Sequence, residues 1–201
     1  MSFHEVFLED DVLCSTCRKT LKRVDRWIQV DKIRIYAYYE FDDAMSTIFH
    51  RYKEAHDQAL GKIFLHPMRK FDRLHQNKTV ICVPSSEAKI EERGFITLKK
   101  ILEGNKLQHI DVLRKDSSQK QSLRSAKQRM QVKGEISLHN QLLAEDKDLI
   151  LFDDIVTTGS TMRACYDLLK PVARSLTCIC IAIHPIFLKN ERKSKLFFMK
   201  R

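Results

Sequence analysis

Residues 149–161 read Leu-Ile-Leu-Phe-Asp-Asp-Ile-Val-Thr-Thr-Gly-Ser-Thr, and no other stretch constrains the fold as much. Four apolar residues in a row, Leu149 to Phe152, predict a short strand buried on both faces, the habit of a parallel sheet. Two carboxylates, Asp153 and Asp154, sit where that strand is expected to end. After Ile155 and Val156 come Thr157-Thr158-Gly159-Ser160-Thr161, rich in hydroxyls, with one glycine for tight curvature. This turn leads into a helical pattern from Met162 to Leu169, with Ser160 or Thr161 expected as the helix N-cap. A helix N-terminus offers free N–H groups and the positive end of a dipole, so the turn suits a phosphate. The acids just upstream suit ribose hydroxyls, or a hydrated Mg2+ carried in on the ligand's phosphates. A dinucleotide fingerprint would need more glycines, and a nucleoside-triphosphate loop would need Gly-Lys-Ser/Thr; neither is present.

The rest of the chain alternates between strand and helix patterns. Ile33 to Phe41 has the period of a strand; Asp42 or Asp43 then caps a helix that ends in the basic knot His50-Arg51-Tyr52-Lys53. Its basic residues read first as a wet helix face, with Arg51 or Lys53 available to add positive charge to a site. A second helical pattern spans Gln58 to Phe71, which Pro67 should kink or end. Thr79 to Val83 predicts another buried strand, stopping at Pro84-Ser85-Ser86, a small hydroxyl turn friendly to anions. Arg93-Gly94-Phe95 is expected at the start of a helix to about Glu103, and Ile110 to Leu113 as a short strand. Arg114 to Gly134 is polar and basic and reads as a mobile loop. Leu176 to Ile183 is a last apolar strand, ended by His184-Pro185, where His184 reads more readily as a capping residue than as a catalyst.

These elements predict an α/β fold, a doubly wound and mainly parallel sheet whose ligand sits beyond the carboxyl ends of the strands. Three regions are expected: 1–30 as a knuckle-like appendage, 31–188 as the main domain, and 189–201 as a basic tail. The appendage carries Cys14-Ser15-Thr16-Cys17, half of a zinc ribbon; structural zinc needs four ligands, and no second pair follows. Cys82, Cys165, Cys178 and Cys180 lie in apolar or helical patterns and read as reduced core residues.

Net charge is +10, with seven Lys or Arg against one Asp between Arg114 and Lys133 and six against one Glu from Lys189 to Arg201. Such a surface favours phosphate-rich partners without choosing among nucleic acid, nucleotides and sugar phosphates. No apolar run approaches the roughly 18 residues of a membrane span, and the first residues show no basic segment before an apolar one, so the expected compartment is the cytoplasm.

The stretch 149–161 closely resembles the thirteen-residue signature of type I phosphoribosyltransferases, which bind phosphoribosyl pyrophosphate. Over almost its full length the chain resembles the ComF family, of the ComFC type, in which a zinc-ribbon region precedes a phosphoribosyltransferase domain associated with uptake of transforming DNA. That resemblance rests on Cys14-x-x-Cys17, His50-Arg51-Tyr52-Lys53, Val83-Pro84-Ser85, Glu92-Arg93-Gly94-Phe95, Gln121 with Arg129, Lys133-Gly134 and Asp153 to Gly159. Family members usually continue Arg-Gly-Phe with Asn-Gln, where this chain has Ile96-Thr97.

The resemblance implies that Asp153 and Asp154 hold ribose hydroxyls, that Val156 to Thr161 (Val156, Thr157, Thr158, Gly159, Ser160, Thr161) hold the 5-phosphate, and that Pro84, Ser85, Ser86 and Arg93 lie near the pyrophosphate. A loop bearing Lys120, Gln121 and Arg129 would close over it. Mg2+ would arrive on the pyrophosphate, and Cys14 and Cys17 imply Zn2+. Two functional readings remain open. In one, the chain is a transferase in which a nucleophile displaces pyrophosphate at C1 of the ribose. In the other it is a binding module serving competence, handing single-stranded DNA to a ComFA-type helicase, with Trp27, Tyr36, Tyr38 and Tyr39 available for stacking.

Overall fold

A computed structural model describes residues 13–65, 77–103, 107–115 and 136–189. In chain order the elements are α1 (Ser15–Thr20), β1 (Arg23–Val30), β2 (Ile33–Glu40), α2 (Asp43–Lys53), a 3-10 turn (Gln58–Leu60) running into α3 (Gly61–Leu65), and β3 (Thr79–Cys82). They continue with α4 (Glu87–Arg93), α5 (Thr97–Leu102), β4 (Gln108–His109), β5 (Leu113–Lys115), β6 (Ile136–Leu138), β7 (Asp148–Val156), α6 (Ser160–Leu169) and β8 (Ser175–Ile183).

Six strands form one sheet in the order β1-β2-β8-β7-β3-β4; β1 runs antiparallel to β2, and every other pairing in it is parallel. The expected doubly wound, mainly parallel sheet is therefore observed. β7 lies between β3 and β8, which explains its uninterrupted Leu149-Ile150-Leu151-Phe152: all four are buried because helices or strands cover both faces and both edges. β5 and β6 form a separate antiparallel pair.

The chain order creates a crevice. After β3 the chain moves outward to β4, whereas after β7 it moves the other way to β8. The two strands are neighbours whose continuations diverge, which leaves a gap between those continuations beyond their carboxyl ends. Pro84 deepens that gap. β3 pairs with β7 as far as Cys82 opposite Phe152, and the Val83 N–H donates to the Phe152 carbonyl at 2.9 Å. Beyond that point Pro84 has no N–H to offer, and β7 continues to Val156 along β8 alone. Among the described residues its edge toward β3 is unpaired by any strand from Asp153 onward.

Several sequence expectations are corrected. Arg23–Val30, mixed in sequence, forms the edge strand β1; only Ile28 and Val30 are fully buried, so its pattern was too exposed to read. The predicted strand at Ile110 to Leu113 is replaced by two short ones, β4 before it and β5 overlapping its end. Arg93-Gly94-Phe95 does not open a helix. Arg93 ends α4, and Gly94 terminates it in the left-handed conformation (φ 71). The helical pattern after Gln58 is realised as far as Leu65, and its remainder lies outside the described residues, as do Lys120, Gln121, Arg129 and residues 190–201.

Candidate functional site

The acid pair sits on the open edge of β7 rather than after the strand. Asp153 and Asp154 are both partly buried. Each carboxylate accepts from a backbone N–H close by: Asp153 from Asp154 at 2.8 Å, Asp154 from Ile155 at 2.7 Å. Burial, and then the neighbouring Asp154 carboxylate, push the Asp153 carboxyl up to about 8, so it holds a proton far more readily than an ordinary aspartate. Asp154 has a cationic partner. Lys53 Nζ lies 2.6 Å from Asp154 Oδ2, with the two side chains only 14% and 15% exposed.

Lys53 reaches this position because of how α2 is built. Asp42 caps the helix by accepting from the Met45 N–H at 3.1 Å, and Met45, Phe49 and Tyr52 then form its buried stripe at helical spacing. Tyr52 points into the core and donates to the Thr97 carbonyl at 2.8 Å, with Gly61 beside its ring, where an added Cβ would make ordinary contact at 3.4 Å. The residue after Tyr52 is thereby directed at β7. Arg51 points the other way and pairs in solvent with Asp57 at 2.9 Å. Of the basic knot, Lys53 joins the acid pair and Arg51 does not.

Glu54, just past the same helix end, accepts from Arg93 Nη2 at 2.6 Å. The Arg93 side chain is 10% exposed, and its Nε is buried without a hydrogen-bond partner among the described residues. Phe95 packs edge-on against Tyr52 and His56, at centroid distances of 5.6 Å and 6.5 Å. The motifs at 50–53 and 93–95, distant in sequence, thus form one structural unit. Sequence reasoning assigned Glu54 no part in it; the acid after the basic knot was the available signal.

The turn after β7 departs from its expected capping. Neither Ser160 nor Thr161 caps α6: both lie inside it, and the cap position is Gly159, in the left-handed conformation (φ 77) with no side-chain bond. Gly159 is required twice over. An L side chain is strained at that φ, and an added Cβ would fall 2.5 Å from Val30 Cγ1 of β1. Thr158 Oγ1 and Ser160 Oγ share a hydrogen bond at 2.9 Å, and the Ser160 N–H reaches Thr158 Oγ1 at 3.4 Å. Among the described residues the backbone N–H groups of Thr157, Thr158, Gly159 and Thr161 make no hydrogen bond, which leaves a cradle of donors at a helix N-terminus. Val156 is buried beneath it. Across the crevice Pro84, Ser85 and Ser86 are half-buried, with Ser86 at the cap of α4. His184 stays outside: it is exposed, and its Nδ1 accepts from the Ile186 N–H at 3.3 Å, a local cap.

Two carboxylates are the hard oxygen donors that Mg2+ takes, and among the described residues no cluster of three or more His, Cys, Asp or Glu side chains forms a metal cage. The pair fits a cation that arrives already coordinated by phosphate oxygens rather than a resident ion. Cys14 and Cys17 are exposed thiols outside any disulfide among the described residues, with Cys14 Sγ accepting from the Cys17 N–H at 3.5 Å, and no third metal-ligating side chain joins them among the described residues. Cys165, Cys178 and Cys180 are buried free thiols and Cys82 a half-buried one, as expected of reduced core residues.

A family model described as "Phosphoribosyl transferase domain" matches residues 89–198, more than half of the chain. No curated protein matches. Among solved structures, an adenine phosphoribosyltransferase from Giardia lamblia complexed with 9-deazaadenine is 15% identical, with 89% of this chain and 90% of that chain covered and a TM-score of 0.48. An adenine phosphoribosyltransferase from Trypanosoma brucei, in complex with AMP, pyrophosphate and ribose-5-phosphate, is 12% identical over 89% and 82%, TM-score 0.43. A purine phosphoribosyltransferase from Pyrococcus horikoshii is 12% identical over 61% and 71%, TM-score 0.39.

Proposed function

We infer, from the premise that the chain belongs to the phosphoribosyl transferase domain family, that its crevice binds phosphoribosyl pyrophosphate. The observation that carries this reading is the pairing of an acid couple on an open strand edge with an unoccupied set of turn amides a few residues on. Asp154, as carboxylate, accepts hydrogen bonds from ribose hydroxyls. Asp153, with its raised affinity for a proton, both donates and accepts there. The amides and hydroxyls of Thr157 to Thr161 take the 5-phosphate, whose charge the α6 N-terminus favours. Ser85 and Ser86, with Arg93, face the pyrophosphate from the other wall of the crevice, and Arg93 Nε, without a hydrogen-bond partner among the described residues, supplies a donor. Bound Mg2+ would neutralise charge developing on the departing pyrophosphate, with the acid pair among its oxygen donors.

In the transferase reading a nucleophile forms a bond to C1 of the ribose as the C1–O bond to pyrophosphate breaks and the electron pair leaves with pyrophosphate, inverting C1. Calorimetry with phosphoribosyl pyrophosphate and Mg2+ tests the site. Asp154→Ala should weaken binding by about a hundredfold or more, since it removes a hydroxyl acceptor and leaves Lys53 unpaired; equal affinity in both proteins would remove the assignment. Release of pyrophosphate across a panel of bases and amines separates a transferase from a domain that binds and transfers nothing.

A second reading, action in competence on single-stranded DNA with a helicase partner, is favoured by the surface of β1 and β2. Trp27 is 42% exposed, stacks edge-on with Tyr36 at 5.5 Å and carries the Arg34 guanidinium at 5.6 Å, a basic and aromatic edge suited to bases and phosphates. Oligonucleotide binding that weakens steeply with salt and drops in Trp27→Ala supports it; binding indifferent to Trp27 removes it.

A further inference from the structure

The C-terminal end of α2 holds both walls of the crevice. Consecutive residues do this: Lys53 neutralises Asp154 on β7, and Glu54 holds Arg93 at the end of α4. Lys53 is the more informative of the two. Its ammonium is nearly enclosed, 2.6 Å from Asp154 and 5.0 Å from the Phe49 ring centroid. It lies beside the Asp154 carboxylate, whose charge would otherwise repel a polyanion where the ligand and its cation would enter. Lys115, on β5, also lowers the Asp153 carboxyl, though less than Lys53 does, so two lysines from different elements act on the acid pair.

We propose that Lys53 is a built-in counter-ion that stands in for a divalent cation: it neutralises Asp154 in the free protein and turns to the pyrophosphate when ribose hydroxyls claim that carboxylate. Lys53 is then a ligand-contacting residue, and its presence makes affinity for phosphoribosyl pyrophosphate partly independent of Mg2+. The inference rests on the reading of the crevice given above and deepens it. The physical ground is charge. The Asp154 charge opposes an incoming polyanion unless a cation offsets it, and a lysine reaching in from a neighbouring helix supplies one permanently, whereas Mg2+ supplies one only at sufficient concentration.

The test is calorimetric titration of phosphoribosyl pyrophosphate with saturating Mg2+ and with EDTA, on the wild-type chain, Lys53→Met, Lys53→Arg and Arg51→Met. Arg51→Met removes the same charge from the same helix but away from the crevice, and should match wild type. Wild type should lose less than about tenfold in affinity when Mg2+ is removed, and Lys53→Met about a hundredfold, with the difference largely gone in saturating Mg2+ and restored to within about threefold by Lys53→Arg. With ribose 5-phosphate, which lacks the group Lys53 turns to, the Met substitution should cost less than about threefold. A Lys53→Met protein with the same Mg2+ dependence as wild type overturns the proposal while leaving the crevice assignment intact, as does an equal loss for both ligands. Wild type that binds no phosphoribosyl pyrophosphate at all takes down both. Should Lys53→Met fail to fold, the wild-type response to EDTA decides alone: a loss well beyond tenfold means that no internal cation stands in for the metal.

Discussion

The two ends of β7 carry aspartates with opposite acid–base behaviour, and the contrast separates what holds the fold from what meets a ligand. At the amino end, Asp148 is gripped by Arg174, 2.5 Å from Nη2 and 3.2 Å from Nε, and by Ser175 Oγ at 2.5 Å; the guanidinium, then the hydroxyl, hold its carboxyl down at about 2. At the carboxyl end, Asp153 has a backbone N–H and another carboxylate for company, and is pushed up to about 8. One strand thus presents a satisfied acid at the face that closes the fold and a strained couple at the face that opens to the crevice. In a parallel sheet that division is expected, because the carboxyl ends of the strands face the loops that bind and the amino ends face loops that only connect.

The sharpest way to break the comparison is at the turn. Gly159→Ala puts a methyl 2.5 Å from Val30 Cγ1, in a core that excludes solvent, at a φ of 77. The expected cost is about 3 kcal/mol, or roughly 10 °C in melting temperature, together with loss of phosphoribosyl pyrophosphate binding. Adding Val30→Ala should recover the steric part in a double-mutant cycle. Gly94 serves as the reference: its φ is 71, but nothing lies within 4 Å of an added Cβ, so Gly94→Ala should cost only about 1 kcal/mol. Equal losses at the two glycines would mean that the turn is not pressed against β1.

A smaller effect is expected at the strained acid, and its sign runs against that of most aspartates. Unfolded, Asp153 loses its proton near about 3.9, whereas folded it keeps it to about 8. Between those values the folded state binds more protons than the unfolded one, so this group's contribution falls as pH rises from about 4 to about 8. Asp153→Asn removes that slope. Its melting temperature should match wild type near pH 4 and exceed it by about 5 °C near pH 8. Parallel profiles would show that Asp153 is an ordinary carboxylate and that the two ends of β7 do not differ.

Much of this architecture was legible in the sequence where local physics dominates. The central strand announced itself by four consecutive apolar residues, α2 by an aspartate cap at Asp42 or Asp43 and a helical period read through Ala44, Ile48 and Tyr52, of which the structure fully buries Tyr52 together with Met45 and Phe49, and the crevice by acids followed by a hydroxyl-rich turn. What escaped was non-local or half-exposed. β1 buries only Ile28 and Val30. α4 fully buries no apolar residue, so it carries no period to read and Arg93 was assigned to the wrong end of a helix. The extension of β7 through its acids depends on β8 alone, because Pro84 has ended the pairing on the other side. Lys53 with Asp154, and Glu54 with Arg93, are products of tertiary packing, and a run such as His50-Arg51-Tyr52-Lys53 does not say which of its cations faces inward.

The smallest expected effect belongs to the satisfied acid, and it closes the comparison from the other side. Asp148→Asn leaves Arg174 without its carboxylate in a pair that solvent reaches, with side chains 58% and 29% exposed, so the melting temperature near neutral pH should fall by only about 2 °C. Since the folded carboxyl titrates near 2 and the unfolded one near about 3.9, the stabilisation is fully present above the higher value and is lost as pH falls through the lower. The gap between variant and wild type should therefore close in strong acid, opposite in direction to the Asp153→Asn gap, which opens toward alkaline pH. Phosphoribosyl pyrophosphate affinity should be unchanged, because Asp148 lies at the far end of a strand whose ligand edge begins five residues on. A loss of binding in Asp148→Asn that matched Asp154→Ala would mean that the strand transmits strain along its length, and the separation of folding from binding between its two ends would have to be abandoned.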